Sequence, residues 1–249
     1  VYKQLNIILS AIWLAYALLV FFSVMLMVLP FILLAFATLG EKHGGYVAYI
    51  FLKIWGRSFI LFGIHFSVKG RENIPTDVAA VFVCNHSSYL DAPAICVAVP
   101  GQFRPLGKIE LSRSIFFGWI YRKVVVMVDR SNVQSRAESI KQMAKKLSQG
   151  IPILVFPEGT MNRTAELLLP FQPGAFKLAL QTGAPVVPMV IYNSGKLLPP
   201  GQYLKLRPGV IKVEFAKPIN SRDFTEPMAL SKAAENVMRA IIQEMKNSN

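Results

Sequence analysis

Between Lys3 and Glu41 the chain carries no charged residue, and most of that interval is aliphatic or aromatic. As a helix at about 1.5 Å per residue it would reach ~55 Å, well beyond a hydrocarbon core of about 30 Å. The run exceeds what a small core needs, yet it is short for two complete spans with a turn between them. Two arrangements stay open: one long tilted helix that crosses, or two helices that meet near Pro30 and dip into one leaflet. The next segment, 46–66, is apolar apart from Lys53, Arg57 and a few small or weakly polar residues. Either cation at mid-bilayer would cost roughly 2.5–3.5 kcal/mol, so an interfacial helix suits it better than a span. A secretory signal fits poorly, because the run is too long and lacks a multiply charged start. A hydrophobic share of 53% and a mean hydropathy of +0.42 agree with a membrane-associated protein.

Beyond residue 66 the pattern changes. Short apolar runs predict strands at 66–69, 78–84, 103–107, 124–128, 152–156 and 186–191. Helices are predicted between them, at about 90–99, 110–121, 134–149 and 173–182. The third shows its period plainly, with Ala137, Ile140, Ala144 and Leu147 on one face. Such alternation predicts an α/β fold with a mostly parallel central sheet flanked by helices. Residues 203–206 and 210–215, joined through Arg207-Pro208-Gly209, read as a late antiparallel pair, and a helix over about 227–246 closes the chain. The chain divides into membrane-inserted or interfacial helices over 1–66 and one α/β domain over 67–249.

Two punctuated stretches carry chemistry. In Asn85-His86-Ser87-Ser88-Tyr89-Leu90-Asp91 a histidine and a carboxylate stand five residues apart, just after the strand that ends at Cys84. His86 falls on a strand-to-helix loop, with Ser87 or Ser88 as a cap, Asp91 just inside the helix and Pro93 in its first turns. A carboxylate on one ring nitrogen fixes the tautomer and raises the basicity of the other, which can then take a proton from an alcohol. By itself the spacing also suits an ordinary loop histidine beside a first-turn acid. The second stretch, Ile151 to Thr160, is a strand that stops at Pro157-Glu158-Gly159. That places Glu158 at the strand's carboxyl end, the edge where open parallel sheets bind ligands.

Together, Asn-His-x4-Asp and Phe-Pro-Glu-Gly-Thr resemble the glycerolipid acyltransferases, above all the 1-acylglycerol-3-phosphate (lysophosphatidic acid) acyltransferase family. Val124 to Arg130 is similar to that family's strand ending in Asp-Arg, Lys108-Ile109-Glu110-Leu111 to its Lys-x-Glu-Leu, and Ala184 to Val190 to its Val-Pro block. The two main motifs, the Asp-Arg strand and the Val-Pro block run in order, and the resemblance covers roughly residues 66–220. The resemblance implies an N-terminal membrane-embedded helical pair beside the active site. It implies that His86, held by Asp91, activates a lysolipid hydroxyl for attack on a fatty acyl thioester. Acyl-CoA or acyl carrier protein would be a substrate, with no cofactor and no metal. Glu158, Gly159, Thr160 and Asn85 would lie at the acceptor, and Arg130 and Lys108 at its anionic head group. The chain departs from the family at two cations. Met161 stands where arginine is usual, leaving Arg163 as the nearest stand-in, and Gln172 stands where lysine is usual, with Lys177 nearest. That keeps open another acceptor, such as a lyso-ornithine lipid or another lysophospholipid.

The net charge of +13 is spread along the chain, and residues 67–249 hold 23 Lys and Arg against 13 Asp and Glu. Such an excess favours anionic membranes, phosphorylated substrates and acidic carrier proteins. Nucleic acid is not expected, since there is no zinc spacing, aromatic-basic signature or block of consecutive cations. Cations after the apolar segment favour a membrane location with the α/β domain on the cytoplasmic face, at an anionic inner leaflet. Cys84 and Cys96 read as buried thiols. A serine hydrolase lacks its Gly-x-Ser-x-Gly elbow, and a non-catalytic lipid-binding scaffold leaves His86, Asp91 and Glu158 unexplained.

Overall fold

The computed structural model describes residues 2–115 and 118–248. The first helical element, α1 (Tyr2–Arg57), is broken at Gly40, whose φ of 68° and ψ of −171° are not helical. A positive φ is cheap only without a Cβ, so the break falls there and not at Pro30, which stays inside the helix. The two arms fold back on each other. Phe31 stacks on Phe51 at 5.1 Å, Phe21 meets Trp55 edge-on at 5.4 Å, and Tyr16 donates a hydrogen bond to the Leu61 carbonyl. The stretch Lys3–Phe62 is long and apolar enough to cross a membrane, and only 22% of its most apolar window is buried by protein.

A 3-10 turn, Ser58–Phe62, leads into the sheet. Its strands are β1 (Ile64–Lys69), β2 (Val81–Cys84), β3 (Arg104–Lys108), β4 (Val126–Val128), β5 (Ile153–Val155), β6 (Val186–Tyr192) and β7 (Gly209–Phe215). Their order is β1-β7-β6-β2-β5-β3-β4, and every neighbouring pair is parallel except β6 with β7. The helices are α2 (Asp91–Ala98), α3 (Gly118–Val124), α4 (Val133–Ser148), α5 (Gly174–Thr182), the short α6 (Ser194–Leu197) and α7 (Pro227–Asn247). The α/β sheet flanked by helices is as the sequence predicts.

Strand alternation builds the core in two layers. Phe82 and Cys84 of β2 point into the cluster formed with α1 and α2, whereas Val81 and Val83 point into the cluster formed with α4, α5 and α7. The α1 cluster is continuous across residue 66, joining Ile32, Tyr49 and Trp55 to Phe82, Val187 and Ile211.

Two expectations fail. Residues 203–206 are not a strand: Tyr203–Lys205 form a 3-10 turn, and β7 pairs instead with β6 and β1. The helix expected over 110–121 is a 3-10 turn (Ile109–Arg113) followed by α3, with Phe116 and Phe117 outside the described residues. Ser112 donates its hydroxyl to the Ile109 carbonyl at 2.6 Å, a local bond that competes with helix continuation.

Gly44 is where the arms of α1 touch most closely. A Cβ there would lie 2.4 Å from the Ala35 carbonyl oxygen. Gly→Ala inside a helix ordinarily stabilises by about 1 kcal/mol. Gly44→Ala should instead destabilise by about 1–3 kcal/mol through overpacking, read as a lower thermal midpoint of the purified protein.

Candidate active site

Local chain geometry sets the histidine. Asp91 opens α2 and is fully buried. Its Oδ2 accepts from three donors: His86 Nδ1 at 2.8 Å, the Ser87 N–H at 2.8 Å and the Ser88 N–H at 2.9 Å. The expected serine cap is therefore reversed, with the carboxylate receiving the serine backbone N–H groups. The Ser88 hydroxyl accepts the Leu90 N–H at 3.2 Å and donates to the Leu198 carbonyl. With Nδ1 on the carboxylate, Nε2 is the nitrogen left to act as a base, and the imidazole is about a quarter exposed.

Three further contacts hold His86 from outside its loop. Its N–H donates to Glu158 Oε1 at 2.8 Å, and its carbonyl accepts from the Asn162 N–H at 2.7 Å. Its ring stacks on Phe156 with centroids 4.1 Å apart. Glu158, beyond the end of β5, is buried, and its Oε2 accepts the Leu169 N–H at 2.9 Å. Burial raises its carboxyl above the ordinary range, against the pull of those two N–H groups. Asn85 is likewise committed to backbone: its amide donates to the Ile191 carbonyl and accepts the Ile191 N–H, both at 2.8 Å. Neither Asn85 nor Glu158 lines the neighbouring cavity. These two residues, expected at the acceptor, hold the loop.

That cavity has a volume of about 540 Å³. His86 lines it together with Lys108, Arg130, Thr160, Met161 and Arg163, so three of the expected cations meet there. Its other walls are apolar and come from α1 (Met25, Leu52, Trp55), α2 (Ile95), α3 (Ile120) and β5 (Leu154). Arg130 donates to the Gly159 carbonyl, which fixes it over the cavity, and burial lowers its pKa from the usual arginine value. Asp129 Oδ1 accepts from the Ser131 N–H and hydroxyl. Gly159 has φ of 70°, so glycine is required there by the turn itself. No helix begins at Thr160; the segment up to Pro173 is irregular. Lys177 is exposed on α5 and does not line the cavity. Cys84 and Cys96 are free thiols, and burial raises both, Cys96 to about 12.

Sequence reasoning missed Asn162, Tyr121 and Arg104. Asn162 is readable as a turn former, since its Oδ1 accepts from the Thr164 N–H. Tyr121 donates to the Lys108 carbonyl at 2.9 Å and so steadies the end of β3. Arg104 is 1% exposed and donates to the Phe103 carbonyl; nothing in its local sequence marks it as buried.

Comparisons with known proteins place this geometry. A family model described as Acyltransferase matches residues 65–192. The chain is 31% identical over 222 residues to the chloroplastic 1-acyl-sn-glycerol-3-phosphate acyltransferase LPAT1 of Arabidopsis thaliana, covering 87% of this chain and 60% of the relative. It is 28% identical over 191 residues to the alpha form of 1-acyl-sn-glycerol-3-phosphate acyltransferase from mouse, covering 74% and 66%. The chain thus spans about three-fifths of the length of the first of these. The crystal structure of the 1-acyl-sn-glycerophosphate (LPA) acyltransferase PlsC from Thermotoga maritima superposes with a TM-score of 0.81, at 25% identity and 98% coverage of both chains.

Glu158→Ala should leave the N–H groups of His86 and Leu169 buried without acceptors. Each costs about 1–3 kcal/mol, so the variant should lose several kcal/mol in denaturant unfolding. A loss below about 1 kcal/mol would show that the carboxylate does not brace the loop.

Proposed function

Because the chain belongs to the acyltransferase family, we propose that it is a membrane-bound O-acyltransferase. In this reading it moves a fatty acyl group from an acyl thioester to the free hydroxyl of 1-acylglycerol-3-phosphate, giving phosphatidic acid. The observation that carries the reading is the His86–Asp91 pair at 2.8 Å, with His86 lining a mostly apolar cavity that Lys108, Arg130 and Arg163 also line. An acyl chain suits the apolar walls, and a phosphate suits the cations near His86.

His86 Nε2 takes the proton from the acceptor hydroxyl as its oxygen attacks the thioester carbonyl. The C–O bond forms, the C–S bond breaks, and the imidazolium returns its proton to the departing thiolate. Asp91 holds the tautomer and offsets the charge that develops on the ring. No covalent acyl-enzyme is needed, because the acceptor supplies the nucleophile. Arg130, Lys108 and Arg163 face the acceptor's phosphate, Arg130 being held in place by the Gly159 carbonyl. Thr160 borders the same end. The arms of α1 lie in the membrane with their inner face on the cavity, so the acceptor enters from the lipid side. The acyl donor is acyl-CoA or acyl carrier protein, and a cytoplasmic location for the α/β domain follows from the cations after the apolar run.

One feature favours a second acceptor: Met161, an uncharged residue, lines the cavity beside the cations. The test is acyl transfer from labelled acyl-CoA, or from acyl carrier protein, to lysophosphatidate, lyso-ornithine lipid and glycerol 3-phosphate. Transfer to lysophosphatidate should dominate, and His86→Ala should lower kcat by about 10²–10⁴-fold. Transfer only to the phosphate-free acceptor would keep the chemistry and replace the substrate.

The walls also set the length of chain accommodated. Ile120→Trp adds bulk to the apolar part of the cavity and should shift preference to shorter acyl donors while leaving turnover with the shortest ones within about threefold. Competition between donors of different length reads this directly, and unchanged selectivity would place the acyl chain elsewhere.

A further inference from the structure

The turn that the sequence pattern misassigns as a strand is a projection with an exposed apolar tip. Tyr203 and Leu204 are each 49% exposed, although the turn itself is firmly rooted. Leu206 packs against the α1 core cluster, the Arg207 N–H donates to the Leu197 carbonyl at 2.9 Å, and the Gly209 N–H donates to the Gly63 carbonyl at 2.9 Å. Pro208 lies so close to Gly63 that a Cβ there would meet it at 2.6 Å. This root places the turn next to Ser58–Phe62, where Ile60 and Leu61 are 55% and 56% exposed. The apolar surface is therefore continuous with the end of α1, and the Tyr16 bond to Leu61 ties it to the first arm.

Charge distinguishes this surface from a stray apolar patch. Between Tyr192 and Glu214 the sequence holds four cations, Lys196, Lys205, Arg207 and Lys212, and no acid. Lys205 and Arg207 are exposed and flank the tip. A small aromatic-aliphatic tip with basic residues beside it suits a lipid–water interface, where the ring enters the head-group layer and cations meet anionic lipid. The tip also adjoins the active site. Tyr203 stacks on Tyr89 at 5.9 Å, and Tyr89 lines the cavity.

We propose that Tyr203–Arg207 is a second membrane-contact site, seating the α/β domain on an anionic bilayer so that the cavity mouth beside Tyr89 meets the lipid surface. It rests on the reading that α1 enters the bilayer, and deepens it. Because α1 and the α/β domain share one core, they meet the bilayer as one body; α1 alone leaves the tilt of that body unset, whereas a second contact beyond the Ser58–Phe62 turn fixes its orientation. The cavity is then presented to a lipid acceptor without the acceptor leaving the membrane.

The experiment uses the full chain in vesicles of phosphatidylglycerol and phosphatidylcholine, with an environment-sensitive fluorophore on single cysteines in a Cys84→Ala/Cys96→Ala background. Labels at Leu204→Cys and at Leu19→Cys in α1 should both blue-shift and be quenched by spin-labelled lipid, while a label at Gln142→Cys on α4 stays water-like. A shift at 19 but none at 204 overturns the second contact and leaves the α1 reading intact. No shift at either site overturns both. Shielding of 204 in detergent alone, with dimers in sedimentation, would assign the surface to a second copy of the chain and overturn the proposal.

An unlabelled variant gives an independent check. Tyr203→Ser/Leu204→Ser should raise KM for vesicle-embedded acceptor by at least about tenfold, from lost apolar burial. Turnover on detergent-dispersed acceptor should stay unchanged. Equal losses in both formats would mean that the turn is only structural.

Discussion

One oxygen atom organises the site. Asp91 Oδ2 gathers the imidazole and two successive backbone N–H groups, all within 2.9 Å, so the loop from β2 to α2 has little freedom to change shape. Charge-assisted bonds of this kind are about twice as strong as neutral ones, and a carboxylate at the start of α2 is further favoured by the helix dipole. Around this centre, each neighbouring strand supplies one clamp. Asn85 ties the loop to β6 through Ile191, and Glu158 ties it to the segment after β5. The imidazole's position is thus defined by the carboxyl ends of three strands. An imidazole held this way keeps one geometry without reordering, which is the condition an oriented group needs.

The parts of this arrangement that were legible in the sequence are the local ones. His86 and Asp91 are five residues apart on one loop, so their meeting needs only a strand, a turn and a helix in succession. Glu158 was readable as a strand-end carboxylate, but its partners were not. Whether a buried acid meets ligand or backbone depends on where residues 86 and 169 fall in space, and no periodicity encodes that. The partner of Asn85 is unreadable for the same reason, since it lies 106 residues away. The strands were found because buried parallel strands read as apolar runs, with ends off by one to three residues. The 203–206 error has a different cause. Tyr-Leu-Lys-Leu alternates like a strand, yet Pro199-Pro200-Gly201 before it and Pro208-Gly209 after it favour a turn, and the real partner of β1 and β6 is the next segment.

The break in the apolar segment was misplaced by a related rule. Proline kinks helices, but in α1 Pro30 is accommodated, and the reversal uses the positive φ that glycine supplies cheaply at Gly40. From there the register of the two arms is set by close contact at Gly44 and by the paired rings of Phe31 with Phe51 and Phe21 with Trp55.

That register makes α1 part of the body that encloses the cavity. Its inner face contributes Met25, Leu52 and Trp55 to the cavity, and the same face joins β2, β6 and β7 in one apolar cluster. Its outer face, with Leu19, Leu26, Met27 and Leu34, remains exposed by protein. A contiguous apolar surface of this kind marks contact with an apolar partner, protein or membrane. Removing residues before 58 would expose Phe82, Val187 and Ile211 to water and open one wall of the cavity. The cavity-lining side chains and the exposed apolar side chains thus fall on different faces of the same helical element, and one register sets both.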